Sequence, residues 1–488
     1  MQTAYQVASP GYSRKIALST QINPANNFIV TTSNNPKKKR IVRTAPSRGI
    51  LCGALGAKYQ RQLRLHAFLN GGKRMRHTDS RALFEGLVVL TLVATLAGTG
   101  FAGTKIIYSF GGGTDGEYID SDLVMDSAGN IYGTSVQGGD FGAGTVFELS
   151  PSGNSWTHAV LYSFSGGEDG GEPYKGVTLD AQGNLYGTAV TGGTGLGCEG
   201  GCGVVYKLTK SGKSWVQSVI YSFNGGDDGS GPGSGVTFDK RGTLFGMTPT
   251  GGAYGLGVVY QLKPDPNGNW KFSVLHAFTG GTDGANGSAG RLILDKSENL
   301  YGVATTGGAN GQGVVFRLIR AASGHFFVQT LYAFKGRPDA GYPYGGLTFD
   351  AQGNLYGTTY YDGQNNLGAV YELTNKNGVW SESVLYSFEG GSDGSGSLSN
   401  LVFDAPGNLY GTTSEGGAGC SCGVIFKLTP GTNGKWTESV VYRFQGAPDG
   451  GFAYNGMVGD TGGNFYGTTV HGGFTDDGII YRFNPQSR

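Results

Sequence analysis

Charged and chemically reactive side chains are scarce in this sequence. Asp, Glu, Lys and Arg make up 15% of its 488 residues, against about 25% in an average soluble domain. The chain has six His and five Cys, and it contains no paired-histidine metal motif, serine nucleophile elbow or phosphate-binding loop. The sequence therefore predicts no metal site, no cofactor and no catalytic residue that a local motif would reveal.

Long apolar runs are also missing. The most apolar stretch, Leu83–Ala97, has 15 residues and includes Glu85, whereas a helix that spans a bilayer needs about 20. A basic flank before this run and small residues after it are typical of a secretory signal peptide. We therefore expect residues 75–103, beginning at Met75, to be a signal peptide, or a membrane segment through residues 83–101 if the signal is not cleaved.

Charge is divided unevenly along the chain. Residues 1–81 hold 15 Lys and Arg against one acid, Asp79, whereas the rest of the chain holds 21 basic and 34 acidic residues. Residues 1–74 are accordingly either an over-long gene start or a basic, disordered tail. The run Lys37–Arg40 is of the kind that binds nucleic acid. Because no other basic patch follows it, no nucleic-acid partner is expected.

Glycine, by contrast, is abundant. The chain has 92 Gly, and 12% of its residues are aromatic. Disordered chains are poor in aromatic residues, and an interior Gly costs a helix about 1 kcal/mol relative to Ala. This composition predicts an all-β protein with many tight turns.

An internal repeat organises most of the chain. The element D-x-x-G-N-L-Y-G recurs seven times with variations, at spacings of 54 to 59 residues. That period suits a four-stranded propeller blade. The first Asp of each repeat is Asp126, Asp180, Asp239, Asp295, Asp350, Asp404 and Asp460.

The two ends of the repeat array complement each other. The segment Lys105–Phe110 matches a fourth strand of the repeat, and the segment Gly478–Phe483 matches a third. If the two pair, the last blade is completed and no sheet edge stays exposed. We therefore predict an all-β fold: a seven-bladed β-propeller of four-stranded repeats over residues 104–484, closed by its N-terminal strand, with a short tail at 485–488.

These repeats resemble those of the GloVer tandem-repeat proteins of bacteria. The resemblance rests on the GNLYGTT elements at Gly353–Thr359 and Gly407–Thr413, on the GGxDG elements and on the GVVFKLT-like strands. It covers roughly residues 105–483. The resemblance implies a secreted or cell-surface protein of uncharacterised activity, with no catalytic residues to carry over. Many members resemble anchored proteins, but this chain ends in YRFNPQSR, so free secretion is expected.

One face of the predicted propeller carries the long loops. The connections from each fourth strand to the next first strand emerge there, together with the second-to-third loops, and function is expected on that face. Each connection contains one Asp: Asp115, Asp169, Asp228, Asp283, Asp339, Asp393 and Asp449. These Asp either form an acidic ring that binds cations or sugar hydroxyls, or accept N–H bonds within their own turns.

Aromatic residues break the seven-fold pattern on the same face. Exposed tyrosines beside acids suit sugar recognition, whereas the alternative is aromatic packing of loop on loop. Five candidates precede the first strands of their blades and three lie in second-to-third loops: Tyr174, Tyr342, Tyr344, Phe452 and Tyr454, then Tyr360, Tyr361 and His471.

Four cysteines fall in two of these loops. Cys198 and Cys202 share one loop, and Cys420 and Cys422 share another, in blades that are not neighbours. In an oxidising compartment two loop-local disulfides are expected. A zinc site would need all four thiols together.

Three functions fit this sequence. The leading hypothesis is a secreted or cell-surface, non-catalytic monomer that binds a polysaccharide or an envelope protein through the long-loop face. The alternatives are a carbohydrate-active hydrolase or lyase with acids on the same face, and a structural component of the extracellular matrix.

Overall fold

The computed structural model describes residues 17–22, 28–33, 103–287, 290–417 and 419–486. The chain divides into two units, residues 1–71 and residues 72–488. In the first, β1 (Ala17–Ile22) pairs antiparallel with β2 (Phe28–Ser33).

Several expectations fall on other parts of the chain. The signal peptide or membrane segment expected over 75–103 lies outside the described residues, apart from Gly103. Apart from β1 and β2, residues 1–74, which include Cys52, lie outside the described residues as well. None of the helices in the described residues is long and apolar enough to cross a bilayer.

The second unit is the predicted seven-bladed β-propeller. Each blade is a four-stranded antiparallel sheet in which sequence neighbours pair. Blades one to three consist of β4 (Val124–Met125), β5 (Ile131–Ser135), β6 (Thr145–Ser152), β7 (Ser155–Ser163); β8 (Val177–Leu179), β9 (Leu185–Ala189), β10 (Val204–Ser211), β11 (Ser214–Ser222); and β12 (Thr237–Phe238), β13 (Leu244–Thr248), β14 (Val258–Pro264), β15 (Trp270–Ala277).

Blades four to six follow the same plan, with one or two short accessory strands in blades four and five. Their strands are β16 (Ala285–Gly287), β17 (Ile293–Leu294), β18 (Leu300–Thr306), β19 (Val314–Arg320), β20 (Phe326–Ala333); β21 (Ala340–Gly341), β22 (Thr348–Phe349), β23 (Leu355–Thr359), β24 (Tyr361–Asp362), β25 (Ala369–Lys376), β26 (Val379–Ser387); and β27 (Val402–Phe403), β28 (Leu409–Thr412), β29 (Val424–Pro430), β30 (Trp436–Arg443). Single 3-10 turns occur at Gly113–Asp115 and Thr432–Gly434.

The seventh blade closes the ring as predicted. It combines β31 (Val458–Gly459), β32 (Phe465–Thr469) and β33 (Ile479–Phe483) with β3 (Thr104–Ser109) from the start of the propeller. Thr104 lies opposite Phe483 in this pairing. The first strand of the propeller thus supplies the outer strand of its last blade.

The repeated sequence explains the hairpins. In blade one, the Asp126 carboxylate accepts the backbone N–H groups of Ala128 and Asn130, each at 2.9 Å. In all seven blades the equivalent Asp accepts the N–H four residues further on. The Gly of each second strand makes room for an aromatic ring, since a Cβ on Gly357 would lie 2.4 Å from the Tyr371 hydroxyl.

The apolar core lies between the blades. Seven clusters of buried residues each join two neighbouring blades, including blades seven and one. Outer-strand tryptophans pack across these interfaces, with Trp156 5.8 Å from Tyr466 and Trp270 5.9 Å from Tyr186 between ring centroids. The recurring Trp therefore serve packing between blades.

Candidate functional site

The site begins with one position of the repeat, six residues before the first Asp of each D-x-x-G-N element. Six of the seven residues at this position line one cavity of about 620 Å³, and the seventh, Ala289, lies outside the described residues. We call this space the mouth cavity, because one residue from almost every blade meets there. The six are Asp120, Tyr174, Gly233, Tyr344, Leu398 and Tyr454.

The second-to-third loops complete the wall. Val190, Pro249, Tyr360 and Tyr361 from these loops also line the mouth cavity. Both sets of long loops therefore open on the same face, as the sequence predicts. Five of the eight predicted aromatic candidates converge here, from blades two, five and seven.

The tyrosines present both ring faces and hydroxyl groups. The rings of Tyr344 and Tyr360 are 5.8 Å apart with 71° between their planes, and those of Tyr360 and Tyr361 are 4.6 Å apart at 89°. Burial raises the pKa of Tyr174, Tyr344, Tyr360 and Tyr454 above the ordinary phenol value. These phenols therefore stay neutral at physiological pH, where each can donate and accept a hydrogen bond.

A buried charge pair forms the floor of the mouth cavity. The Lys175 ammonium lies 3.1 Å from Asp120 Oδ1 and donates to Asn455 Oδ1 at 2.7 Å. Asn455 Nδ2 donates in turn to Asp120 Oδ1 at 2.9 Å. These three residues come from blades two, one and seven, and Lys175 is only 9% exposed. The triangle holds the ammonium in place and compensates its charge.

A second layer of polar side chains continues this floor. Arg291, from blade four, donates to the carbonyl oxygens of Lys175 at 2.5 Å and Val177 at 3.0 Å, both at the entry to blade two. Its Nε lies 3.7 Å from Asp122 in blade one. Asn400, from blade six, donates to the same carboxylate at 3.5 Å. Contacts between such distant blades are possible only at the centre of the ring.

We call these six residues the central plug. They are Asp120, Asp122, Lys175, Arg291, Asn400 and Asn455. Sequence reasoning missed all of them. The available signal lay in the aligned repeats, where Gly176, Gly235, Gly346 and Gly456 occupy the position that holds Asp122, Arg291 or Asn400 in other blades.

A smaller cavity adjoins the mouth cavity. It has a volume of about 290 Å³ and shares Gly233, Pro249 and Tyr344 with it. The rest of its lining is uncharged: Ser234, Asn286, Gly287, Thr305 and Thr306. Tyr344 stands between the two cavities, so an extended ligand could pass along this side chain from one into the other.

The seven connection Asp do not line the mouth cavity. Asp228 shows their common arrangement: its carboxylate accepts the Tyr221 hydroxyl and the Asn224 backbone N–H, both at 2.9 Å. Each of the other six likewise accepts the N–H four residues earlier and faces a Tyr, or His276, seven residues earlier. This is the arrangement expected if each Asp accepts N–H bonds within its own turn.

The three remaining aromatic candidates pack against other loops. The Tyr342 ring lies 5.7 Å from that of Tyr361, behind the mouth cavity. The His471 ring lies 5.4 Å from Phe452 and 5.7 Å from Tyr118, and His471 Nδ1 is 3.4 Å from Asp476. Aromatic packing of loop on loop thus describes Tyr342 within blade five, and His471, Phe452 and Tyr118 at the junction of blades seven and one.

Cysteine pairs close two of the second-to-third loops. Cys198 is bonded to Cys202 and Cys420 to Cys422, with Cα separations of 5.2 and 5.3 Å. The two bridges belong to blades two and six. No cluster of His, Cys, Asp or Glu in the described residues is arranged to hold a metal ion.

Apolar loop tips were a second feature missed from sequence. Phe141, Leu196, Tyr254 and Phe474 are 67%, 96%, 61% and 92% exposed. They occupy the tips of the second-to-third loops in blades one, two, three and seven, which are consecutive around the ring. A comparison of loop tips between repeats could have revealed them.

Comparison with solved structures finds proteins of low sequence identity. A proposed oxidoreductase (glucose dehydrogenase) from Thermus thermophilus has 15% identity and a TM-score of 0.38, with 78% of this chain and 99% of that chain covered. PorZ, described as a surface component of the type-IX secretion system of Porphyromonas gingivalis, has 14% identity and a TM-score of 0.45, with 77% and 47% covered. A Dyadobacter fermentans protein of unknown function has 13% identity and a TM-score of 0.38, with 69% and 97% covered.

Sequence comparison is more specific. No curated protein matches this chain. The model of the Gloeobacter/Verrucomicrobia repeat matches residues 194–419, which run from the second-to-third loop of blade two to the second-to-third loop of blade six. Blades one and seven repeat the same D-x-x-G-N turn and strand order outside that segment. Residues 194–419 therefore carry the Gloeobacter/Verrucomicrobia repeat, which confirms the predicted resemblance to the GloVer repeat family.

Proposed function

We propose that this protein is a secreted or cell-surface, non-catalytic monomer that binds polysaccharide in the mouth cavity. The observation that carries the proposal is the convergence of five tyrosines from three blades on one cavity above a polar floor. The rest of the repeat is nearly uniform from blade to blade. These tyrosines differ from the repeat pattern, and they do so at the mouth cavity, where residues from six blades come together.

The chemistry of the lining suits a sugar. The rings of Tyr344 and Tyr360, inclined at 71° to each other, offer flat apolar surface for the C–H faces of a pyranose ring. Neutral phenols, with the Asp120 carboxylate below them, offer donors and acceptors for hydroxyl groups. A volume of about 620 Å³ lies within the range of roughly 300–1,000 Å³ found for ligand sites. The uncharged adjoining cavity leaves room for a linear chain to continue past Tyr344.

Hydrolysis has less support from this geometry. A glycosidase ordinarily uses two carboxyl groups on either side of the scissile bond. Asp120 is the one carboxylate in the described lining of the mouth cavity, and it is engaged by Lys175 and Asn455. A binding protein needs no free acid, so we propose binding rather than turnover.

The localisation is part of the proposal. The disulfides Cys198–Cys202 and Cys420–Cys422 support an oxidising compartment, because such bonds persist outside the cytoplasm and are rare inside it. An envelope protein is the alternative ligand for the same face. It would be distinguished by binding that survives loss of the cavity tyrosines.

The test is a glycan array followed by titration calorimetry with the full chain. We expect at least one linear polysaccharide to bind, and Tyr344→Ala and Tyr454→Ala each to weaken binding about tenfold or more. Tyr254→Ala is the matched control, because Tyr254 is exposed on the same face and does not line the cavity. Absence of binding to any glycan, or equal losses in all three variants, would refute the proposal.

A further inference from the structure

We infer that the polysaccharide held in the mouth cavity carries amines, as a chain of amino sugars does, and not carboxylates or sulfates. The inference rests on the proposed function, because it concerns the same cavity. It follows from the distribution of charge around the tyrosines, which has three parts.

First, the cation on the cavity floor is already compensated. Lys175 directs its ammonium to Asp120 and Asn455 at 3.1 and 2.7 Å, and it is buried. An anionic ligand that approached this ammonium would also meet the Asp120 carboxylate 3.1 Å from it, so the floor offers an anion no uncompensated positive charge.

Second, the loops around the cavity are acidic. On the cavity face, the described long loops of blades seven, one, two, three and six contain one Lys or Arg, Lys175, and those of blades four and five add Arg291, Lys335 and Arg337. Exposed acids occur at intervals along the same loops: Asp140, Glu168, Glu199 and Asp227. Residues 104–488 as a whole hold 21 Lys and Arg against 33 Asp and Glu. The field of the propeller therefore attracts cations and repels polyanions.

Third, the walls themselves favour a cation. Tyrosine ring faces are electron-rich and attract an ammonium group placed over them. Glu415 is exposed beside this wall. Burial is the main cause of the raised pKa of Tyr360 and Tyr454, and the charge of Glu415 raises it further. An ammonium group on the ligand would lie over these ring faces near the Asp120 carboxylate, and Glu415 would add negative charge from outside the cavity lining.

The experiment compares three short probes of similar length on the full chain by titration calorimetry: a glucosamine hexamer, an N-acetylglucosamine hexamer and a galacturonate hexamer. The basic leader, with 15 Lys and Arg in residues 1–81, can bind a polyanion by itself. Binding in the cavity is therefore taken as the part that Tyr454→Ala abolishes. We expect that part to be at least fivefold tighter for glucosamine than for N-acetylglucosamine, and absent for galacturonate.

Two variants test the cause of the preference. Glu415→Gln should reduce the glucosamine preference two- to threefold, while Glu199→Gln should not, because Glu199 is an exposed acid that is not among the groups that raise the pKa of the cavity tyrosines. The preference should also shrink as salt is raised from 50 to 500 mM. Cavity binding of galacturonate, or equal binding of the two glucosamine probes, would overturn the inference while leaving the proposed function in place. Loss of all glycan binding would instead defeat the proposed function.

Discussion

The repeated Asp residues act locally, and a single substitution can test this. The Asp228 carboxylate joins the Tyr221 hydroxyl to the Asn224 backbone. Asp228→Ala leaves both donors without this acceptor, so we expect the free energy of unfolding to fall by roughly 1–3 kcal/mol. Urea denaturation measures it, with the exposed neighbour Asp227→Ala as control. Equal, negligible effects in the two variants would contradict a structural role for the turn Asp.

One partly buried acid, Glu382, should give the propeller a pH-dependent stability. Burial, and the neighbouring Asp339, raise the pKa of Glu382 from 4.5 to about 8. Between these values the folded state holds a proton on Glu382 that the unfolded chain has released, so the free energy of unfolding falls as pH rises. The stabilisation is fully present below pH 4.5 and is lost as the pH passes through about 8.

The Glu382→Gln variant keeps the shape of a protonated Glu without its charge. We expect it to be no more stable than the wild type near pH 5 and progressively more stable toward pH 8, in urea titrations across that range. Glu168→Gln, which changes an exposed acid, corrects for the general effect of charge. Parallel stability curves for wild type and Glu382→Gln would show that Glu382 ionises normally.

Some site residues of these loops could be predicted from the sequence and others could not. The aromatic candidates could be identified because Tyr174, Tyr344 and Tyr454 interrupt a glycine-rich pattern on a face where loops converge. Asp120 and Lys175 could not, because each is unremarkable within its own repeat. Their role depends on the contacts of 2.9–3.1 Å that join Asp120 to Asn455 and Lys175 across blades one, two and seven. Only closure of the ring brings these residues together.

At the scale of strands, the pattern of residues predicted pairing but not its irregularities. Period-2 alternation and D-x-x-G-N turns are local, so the four strands of each blade follow from sequence. The outer hairpin of every blade, however, contains a β-bulge. In blade one Val146 pairs with Tyr162 and Phe147 with Val160, which leaves Leu161 unpaired. Such a bulge changes the direction of the following side chain. In blade one that side chain is Tyr162, whose hydroxyl donates a hydrogen bond to Asp169.

The closing strand offers a test at this scale. A chain that begins at residue 103 keeps β3, whereas one that begins at residue 111 leaves β33 as an open edge with a truncated core. We expect the first to be monomeric and folded, and the second to aggregate or to lose more than about 10 °C in melting temperature. Size-exclusion chromatography and thermal unfolding compare them. Equal melting temperatures would show that the ring does not depend on this strand.

For the whole molecule, closure makes the seven blades one cooperative unit. Each of the seven core clusters is shared by two neighbouring blades, so no blade has a core of its own. In an open array the terminal repeats would lack one neighbour, and stability would depend on repeat number. Here every interface is filled, and the central plug adds contacts between blades that do not touch through their sheets.

Arg291 is the residue through which this central connection can be measured. Its side chain is 18% exposed and joins blade four to the backbone of blade two and to Asp122 in blade one. Arg291→Met keeps much of the volume but leaves Asp122 without its ion-pair partner and two carbonyl groups without this donor. We expect a loss of roughly 3–5 kcal/mol in urea unfolding, in line with removal of one partner from a buried pair.

Arg241→Met is the matched control for this effect. Arg241 also forms an ion pair, with Glu298 at 2.6 Å, but its side chain is 61% exposed, so the expected loss is at most about 1 kcal/mol. Asp122→Asn added to Arg291→Met should recover part of the stability, because the two groups are coupled. If the two arginine variants lost equal stability, the centre of the ring would hold the blades together no better than a surface ion pair does. The walls of the mouth cavity would then depend on the blade interfaces alone.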